Sequence, residues 1–99
     1  MPGFLIANVT WKSEEQRAAY KAGLARSGHP REYGGQVVVS MTKEPTVKEG
    51  SWKPAELIVL KFPDVQSAQN WYESAEYRNC RDIRWQGATA EIVIGESDL

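Results

Sequence analysis

The chain has 99 residues, 41% of them hydrophobic and 25% charged, and its formal net charge at pH 7 is −1. A chain of this size hides only about 60–68% of the surface that its unfolded form exposes, so we expect one domain over residues 1–99 with one modest core. Because acidic and basic residues are interleaved and the apolar run Phe4–Ala7 is too short for a signal sequence or a membrane span, we expect neither nucleic acid nor a membrane as a partner.

The first half of the chain predicts a strand, a helix and a second strand. FLIANVT, residues 4–10, is apolar and β-branched, as is typical of a strand. Ser13 followed by Gln16 is a capping-box signature, which predicts a helix from about Glu14 to Arg26. A second strand, QVVVSMT (residues 36–42), follows two glycines. The polar stretch after it contains prolines and a glycine, so it is expected to form an exposed connection.

The second half predicts one more strand, two helical segments and a final strand. ELIVLKF, residues 56–62, is the third strand, and a proline ends it. Asp64 is the N-cap of a helix whose apolar residues recur at helical spacing. Ser74 caps a second segment over residues 76–86, and AEIVIGE, residues 90–96, forms the last strand.

This order of elements, β-α-β-β-α-β, predicts an α+β fold, with a ferredoxin-like antiparallel sheet and both helices on one face. All four strands are nearly continuous apolar runs, which indicates burial on both faces of the sheet. Two helices cover only one face, and each extra Leu, Ile or Val that is buried contributes about 1.5–3 kcal/mol. We therefore predict a homodimer in which two sheets stack into a dimeric α+β barrel. The alternative is a monomer whose apolar runs reflect only β-propensity.

The run VLKFPDVQSAQNWYESAEY, residues 59–77, resembles the signature of the family called domain of unknown function 1330. The first strand, the paired glycines, EGSWKP and the final IVIGE follow in the order of that family, so the resemblance covers nearly the whole chain. It implies the dimeric α+β barrel superfamily. That superfamily also includes cofactor-independent antibiotic-biosynthesis monooxygenases, small isomerases and cyclases, and haem-degrading monooxygenases.

Two arginines of the last helical segment are candidate catalytic residues. Arg81 and Arg84 have no acidic residue three or four positions away. Tyr77, Cys80 and Arg84 share one helical face with Arg81 beside them, so a phenol and two cations are expected at the edge of a cavity between helices and sheet. There they would stabilise an anionic or enolate-like ligand. The alternative is that both arginines only neutralise the C-terminal carbonyl groups of their helix.

Asn8 is a further candidate catalytic residue, because it is a polar side chain in an apolar strand. A buried amide without partners costs about 1–3 kcal/mol, so some group must satisfy it. Its position resembles that of the first-strand Asn of the monooxygenase relatives, where the amide lies in the pocket. The alternative is a structural Asn that bonds to a neighbouring backbone.

Aromatic residues and the single histidine are candidates for substrate binding. Trp71, Tyr72, Tyr20 and Trp85 suit the pocket of a flat apolar ligand, although aromatics at helical spacing also form an ordinary core. His29 lies in a loop between a glycine and a proline. Its side chain either contacts the ligand or acts as a general base in the site, or it is a solvated loop residue.

One histidine, one cysteine and no clustered carboxylates leave no metal-binding set, and we expect no cofactor. The single Cys80 excludes an internal disulfide and fits a cytoplasmic protein. The first functional hypothesis is a cofactor-independent enzyme acting on an aromatic or enolisable metabolite, by oxygenation, isomerisation or cyclisation, as in secondary metabolism. The second is a non-catalytic dimeric protein that binds a small molecule or serves an accessory role.

Overall fold

Four strands and three α-helices, with one short 3-10 helix, make up the fold. The computed structural model describes every residue from Met1 to Leu99. It confirms the predicted α+β order, and the helical segments after the third strand are two separate helices. The elements are, in chain order, β1 (Gly3–Trp11), α1 (Glu14–Arg26), the 3-10 helix Pro30–Tyr33, β2 (Gln36–Met41), β3 (Glu56–Phe62), α2 (Val65–Glu73), α3 (Ala75–Gly87) and β4 (Ala88–Glu96).

Each α-helix begins at a side-chain cap that the sequence indicates. Ser13 Oγ accepts the backbone N–H of residue 16 at 3.2 Å, and an Asp64 carboxylate oxygen accepts that of residue 67 at 2.7 Å. Ser74 lies between α2 and α3, where its Oγ accepts the Tyr77 N–H at 3.2 Å. These bonds satisfy N–H groups that have no partner inside the helix, which sets the three starting points.

All strand pairings in the sheet are antiparallel, and the strand order is β2-β3-β1-β4. In the central strand β1, Leu5, Ala7 and Val9 face the helices and are buried. Leu5 lies opposite Leu60 of β3 and Ile94 of β4. The core therefore lies between this face of the sheet and the helices.

The other face of the sheet has no helix over it, and we call it the open face. Its apolar side chains alternate with the core positions, and they include Phe4, Ile6, Leu57, Val59 and Val93. Ile6 is 41% exposed and Val93 is 63% exposed. The continuous apolar runs therefore come from strands that carry apolar residues on both faces, only one of which this chain covers.

Helix α1 packs mainly on α3 and makes little contact with the sheet. The two helices approach closely at Gly23, where an added Cβ would lie 3.1 Å from the Sγ of Cys80. Trp71 ties α2 to the end of α1 by donating its indole N–H to the Gly28 carbonyl at 2.7 Å. Space is left between α1 and the sheet as a result. None of the helices combines the length and the apolarity that crossing a bilayer requires.

Candidate functional site

A cavity of about 470 Å³ lies between α1 and the helix-facing side of the sheet. Fourteen of the 22 residues that line it are hydrophobic. Leu5, Ala7 and Val9 of β1 form its sheet side, and Tyr20 and Leu24 of α1 lie on the helix side. This volume is within the range of about 300–1,000 Å³ that is common for small-molecule sites.

Arg84 of α3 reaches the cavity from the helix side and is only 5% exposed. Its Nε donates to the Tyr77 hydroxyl at 3.5 Å and its Nη2 donates to the Tyr72 hydroxyl at 3.3 Å. The Tyr77 and Tyr20 hydroxyl oxygens are 2.7 Å apart, and either can donate to the other. We call these four residues the tyrosine–arginine cluster. No carboxylate forms an ion pair with Arg84.

The cluster holds the phenols of Tyr20 and Tyr77 neutral and the guanidinium of Arg84 charged. Burial raises the pKa of Tyr20 well above its ordinary 10.0, and burial also raises the pKa of Tyr77. Burial by itself would lower the pKa of Arg84, but its hydrogen bonds to Tyr77 and Tyr72 outweigh that effect and the pKa is raised. At neutral pH the cluster therefore presents one buried positive charge beside the protonated hydroxyl groups of Tyr20 and Tyr77.

An ion pair lies at another part of the cavity wall, between α1 and β3. Arg17 Nε donates to Glu56 Oε2 at 3.0 Å and Nη2 donates to Oε1 at 3.4 Å, with the two side chains only 19% and 15% exposed. The hydrogen bond to Glu56 is the main reason that the pKa of Arg17 is raised. Lys21 and Arg31 complete the charged lining. Four Lys and Arg side chains against one carboxylate give the lining a net charge of +3, whereas the whole chain carries −1.

His29 also lines the cavity, but one of its ring nitrogens is already engaged. Its Nδ1 accepts the backbone N–H of Arg31 at 3.2 Å, which caps the 3-10 helix. Burial, followed by the nearby Arg31 charge, lowers the pKa of His29 from its ordinary 6.5, so the imidazole is neutral at pH 7. In the neutral form, the proton therefore resides on Nε2 and the accepting nitrogen is occupied.

Six of the nine predicted site residues lie together around this cavity: Arg84, Tyr77, Trp71, Tyr72, Tyr20 and His29. Their aromatic rings pack closely. The ring centroids of Trp71 and Tyr77 are 4.1 Å apart, and those of Tyr72 and Tyr77 are 5.9 Å apart. The aromatic residues thus serve both the core and the cavity wall.

Asn8, Arg81 and Trp85 do not line the cavity. Asn8 is on the open face, because it alternates with the core positions of β1. Its Nδ2 donates to Glu91 at 3.3 Å and its Oδ1 accepts the backbone N–H of Ala55 at 3.0 Å. This placement fits the structural alternative for its amide.

Arg81 is a half-buried residue of α3 that lies outside the cavity, beside Trp85. Its guanidinium carbon is 4.5 Å from the Trp85 ring centroid and 5.9 Å from that of Tyr72. Its Nε is buried and makes no hydrogen bond, and Trp85 is largely exposed. The structure therefore separates Arg81 from Arg84, although both are on one helix.

The ion pair between Arg17 and Glu56 is the part of the site that sequence analysis missed. A signal was present, because Glu56 has the same strand parity as Ile58 and Leu60 and therefore faces the helices. A charge on the core side of an apolar strand needs a partner or a function.

The family model described as Domain of unknown function (DUF1330) matches residues 2–97. A search of curated proteins finds no match to the chain. The solved structures that resemble it include a protein of unknown function from Rhodopseudomonas palustris, with 15% identity over 97% of this chain and 82% of the other, at a TM-score of 0.70. SnoaB, a cofactor-independent oxygenase from Streptomyces nogalater, is 10% identical over 99% and 94% of the two chains, with a TM-score of 0.56. A dimeric protein of unknown function with a ferredoxin-like fold, from Bacteroides fragilis, is 8% identical over 97% and 96%, also at 0.56. At these identities the structural similarity establishes the fold alone.

Proposed function

We propose a function from the geometry of the cavity. The chain belongs to the DUF1330 family, and the description of that family names no activity. The protein is a small cofactor-independent enzyme that binds an aromatic or enolisable metabolite between α1 and the sheet. It stabilises the enolate anion of that metabolite beside Arg84.

The observation that carries this proposal is a buried guanidinium with no acidic partner. A charge taken out of water is costly unless it is paired, and in most proteins a carboxylate provides the pairing. Arg84 is bonded only to neutral phenols, and its Nη1 makes no hydrogen bond to any residue of the chain. An anionic ligand oxygen in the cavity would supply the missing negative charge.

The walls of the cavity support a flat ligand. Trp11 and Tyr20 pack on one side with their ring centroids 5.3 Å apart and their planes tilted by 49°, and Tyr72 and Tyr77 provide further ring surface. Such aromatic walls suit a planar aromatic molecule, while the excess of positive charge on the lining favours a negatively charged one. An enolate or phenolate combines both properties.

The chemistry follows from the same groups. An enzyme accelerates enolate formation by placing donors where negative charge develops, in a site that excludes water. Arg84 is such a donor, and so is whichever of the Tyr20 and Tyr77 hydroxyls does not donate to the other. An enolisable substrate can undergo oxygenation, isomerisation or cyclisation through an anion of this kind. The fold similarity to SnoaB supports the wider class of cofactor-independent enzymes.

The assembly in this proposal is a homodimer in which two open faces stack. Ile6 and Val93 are large apolar side chains that the chain leaves exposed on this face. Their burial against the same face of a second copy would gain about 25 cal/mol for each Å² removed from water. The dimeric protein from Bacteroides fragilis has a similar fold, which supports a dimer.

A second candidate function is binding without catalysis. It is favoured by the tyrosine–arginine cluster, whose phenols are protonated and therefore offer no strong proton acceptor. In that case the protein would hold an anionic metabolite for another protein, and the cavity would need no base.

The anion site is tested with 4-nitrophenol, whose phenolate form absorbs visible light. Binding of the phenolate beside Arg84 would lower the apparent pKa of the bound compound relative to the free compound. Arg84→Met removes the charge and keeps an unbranched side chain that fills the space of the arginine stem. Because a hydrogen bond to a charged group contributes about 1.5–3 kcal/mol, this variant should bind the phenolate about 10–100-fold more weakly.

Arg81→Met is the matched control, because it removes a neighbouring charge that lies outside the cavity. It should bind 4-nitrophenolate as the wild type does. If both variants bind equally, or if the wild type does not lower the pKa of the compound, the cavity is not an anion site and the proposed function fails.

A further inference from the structure

Glu56 is the only carboxylate among the residues that line the cavity. Its parity on β3 directs it to the helix side of the sheet, and its side chain is 15% exposed. A carboxylate on an otherwise apolar or cationic wall is costly to desolvate, and a structural ion pair on the surface would avoid that cost. The position therefore calls for a role inside the cavity.

The other titratable groups of the lining are poor proton acceptors at neutral pH. Tyr20 and Tyr77 remain protonated, because burial raises the pKa of each. His29 has its accepting nitrogen bonded to a backbone N–H. Lys and Arg side chains are donors only. Glu56 is the group that is left with free acceptor capacity.

Arg17 orients this carboxylate without saturating it. The guanidinium bonds to both carboxylate oxygens, at 3.0 and 3.4 Å. An ionised carboxylate accepts about four hydrogen bonds, so each oxygen keeps one lone pair for another proton. The fixed pair also limits side-chain motion, which a positioned base requires.

Glu56 and the tyrosine–arginine cluster lie on the same side of the sheet, one helical turn apart along α1. Arg17, which holds the carboxylate, is three residues before Tyr20, and side chains at this spacing are about 5–6 Å apart at their Cβ atoms. The Tyr20 hydroxyl in turn bonds to Tyr77, which accepts from Arg84. Glu56 and Arg84 thus line one cavity, and the side chains of Arg17, Tyr20 and Tyr77 connect them along its helix side.

We infer that Glu56 is the general base of this cavity, and that the reaction is a proton transfer at a carbon next to a carbonyl group. This inference rests on the proposed function and makes it more specific. The substrate class is a planar carbon acid, such as an aryl-substituted or fused-ring ketone, and the reaction class is isomerisation.

The step needs no further reactant. A C–H bond of the ligand breaks, its proton moves to a carboxylate oxygen of Glu56, and its electron pair forms a C=C bond. The carbonyl π pair moves onto oxygen, where Arg84 and the phenol hydroxyls stabilise the enolate. If the ketone carries a C=C bond between its β and γ carbons, the anion is a dienolate, and return of the proton from Glu56 to the γ carbon completes an isomerisation; return to the α carbon regenerates the ketone. No group is oxidised or reduced.

The test measures deuterium exchange into 2-tetralone, a flat fused-ring ketone with an acidic methylene between its ring and its carbonyl group. The ketone is dissolved in D₂O with the full-length protein, and loss of the methylene signal is followed by proton NMR. Wild-type protein should accelerate the exchange. Glu56→Gln should lower the protein-catalysed rate by about 10²–10⁴-fold, which is the usual contribution of a general base. Its amide oxygen can still accept from Arg17.

Glu14→Gln is the matched control, because Glu14 is an exposed partner of the same Arg17 and does not line the cavity. It should exchange the ketone at the wild-type rate. Glu56→Asp keeps the charge but withdraws it by one methylene group, so it should retain part of the activity. This second variant also serves if Glu56→Gln fails to fold, as judged by its thermal melt.

Binding of 4-nitrophenolate separates this inference from the function on which it rests. If wild type and Glu56→Gln both bind the phenolate but the variant alone loses exchange, Glu56 is the base. If the phenolate binds and wild type catalyses no exchange, or if Glu56→Gln exchanges at the wild-type rate, the assignment of Glu56 is overturned while the anion site stands. If wild type does not bind the phenolate, the proposed function fails first.

Discussion

Replacing Tyr77 with Phe removes one oxygen atom from the centre of the tyrosine–arginine cluster. That oxygen is the acceptor for Arg84 Nε and the partner of the Tyr20 hydroxyl at 2.7 Å. Tyr77 is 1% exposed, so water cannot easily replace it. The substitution therefore leaves a buried charged donor without an acceptor, whereas the ring and its packing remain.

The expected cost is that of an unsatisfied buried group, about 1–3 kcal/mol. For a domain of 60–100 residues each kcal/mol corresponds to about 4–8 °C in Tm, so Tyr77→Phe should melt roughly 5–20 °C below wild type. The melt is followed by circular dichroism at a fixed protein concentration, with urea unfolding as a second measure. The control is Tyr33→Phe, which removes a hydroxyl that donates to Glu76 at the surface. Its change should stay within about 0.5 kcal/mol.

A double-mutant cycle with Arg84→Met tests the cause of the loss. In that background the charged donor is absent, so Tyr77→Phe should cost clearly less than it does in the wild type. Equal melting temperatures for the Tyr77 and Tyr33 variants would refute the reasoning. Strict additivity with Arg84→Met would show that the two side chains are not coupled.

Three other predictions concern the assembly, a glycine and the histidine. In sedimentation experiments we expect the wild type to have twice the chain mass, as a dimer does. Ile6→Glu on the open face should convert this dimer into a monomer. Trp85→Glu on the helical side should not, and equal effects would argue against stacking of the open faces. Gly28 has φ +79° and an added Cβ would lie 2.5 Å from a carbonyl oxygen of α3, whereas Gly50 has φ +82° with nothing within 4 Å. Gly50→Ala should therefore lower the free energy of unfolding only by the cost of placing an alanine in the left-handed region, about 1–2 kcal/mol. Gly28→Ala should lower it clearly more, and similar losses in chemical denaturation would contradict the close approach. Burial, followed by a nearby guanidinium, lowers the pKa of His29 from 6.5, so its contribution to stability is present above pH 6.5 and is lost as pH falls through the lower folded value. His29→Asn, which keeps a capping side chain, should flatten the dependence of Tm on pH below 6.5, and an unchanged slope would exclude His29 as its source.

The order of elements was predictable because its signals are local. Ser13, Asp64 and Ser74 are caps whose partners lie three residues away, so no distant contact is needed to place the helix starts. The strands follow from runs of apolar and β-branched residues, and the connection rules then leave few topologies. The short 3-10 helix before β2 was not predicted, because it depends on His29 capping a single turn that lacks hydrophobic periodicity.

Only some of the side chains that line the cavity were predictable, because a strand residue points into the cavity only if the helices cover its side of the sheet. Asn8 and Glu56 are both polar residues on apolar strands, and their parity relative to the covered face separates them. Arg81 and Arg84 are three residues apart on α3, so the rotation of that helix decides which guanidinium enters the cavity. Packing of Cys80 near Gly23 of α1 sets that rotation.

The amino-acid sequence by itself determined the sheet, the caps and the surplus of apolar residues on the strands, since each of these depends on neighbours along the chain. Only the tertiary structure decided that α1 rests on α3 and stands away from the sheet, so that a cavity with a buried Arg84 and a paired Glu56 remains beneath it. The physical reason is that a cavity is the space that side chains fail to fill, and this depends on the packing of elements that are far apart in the sequence.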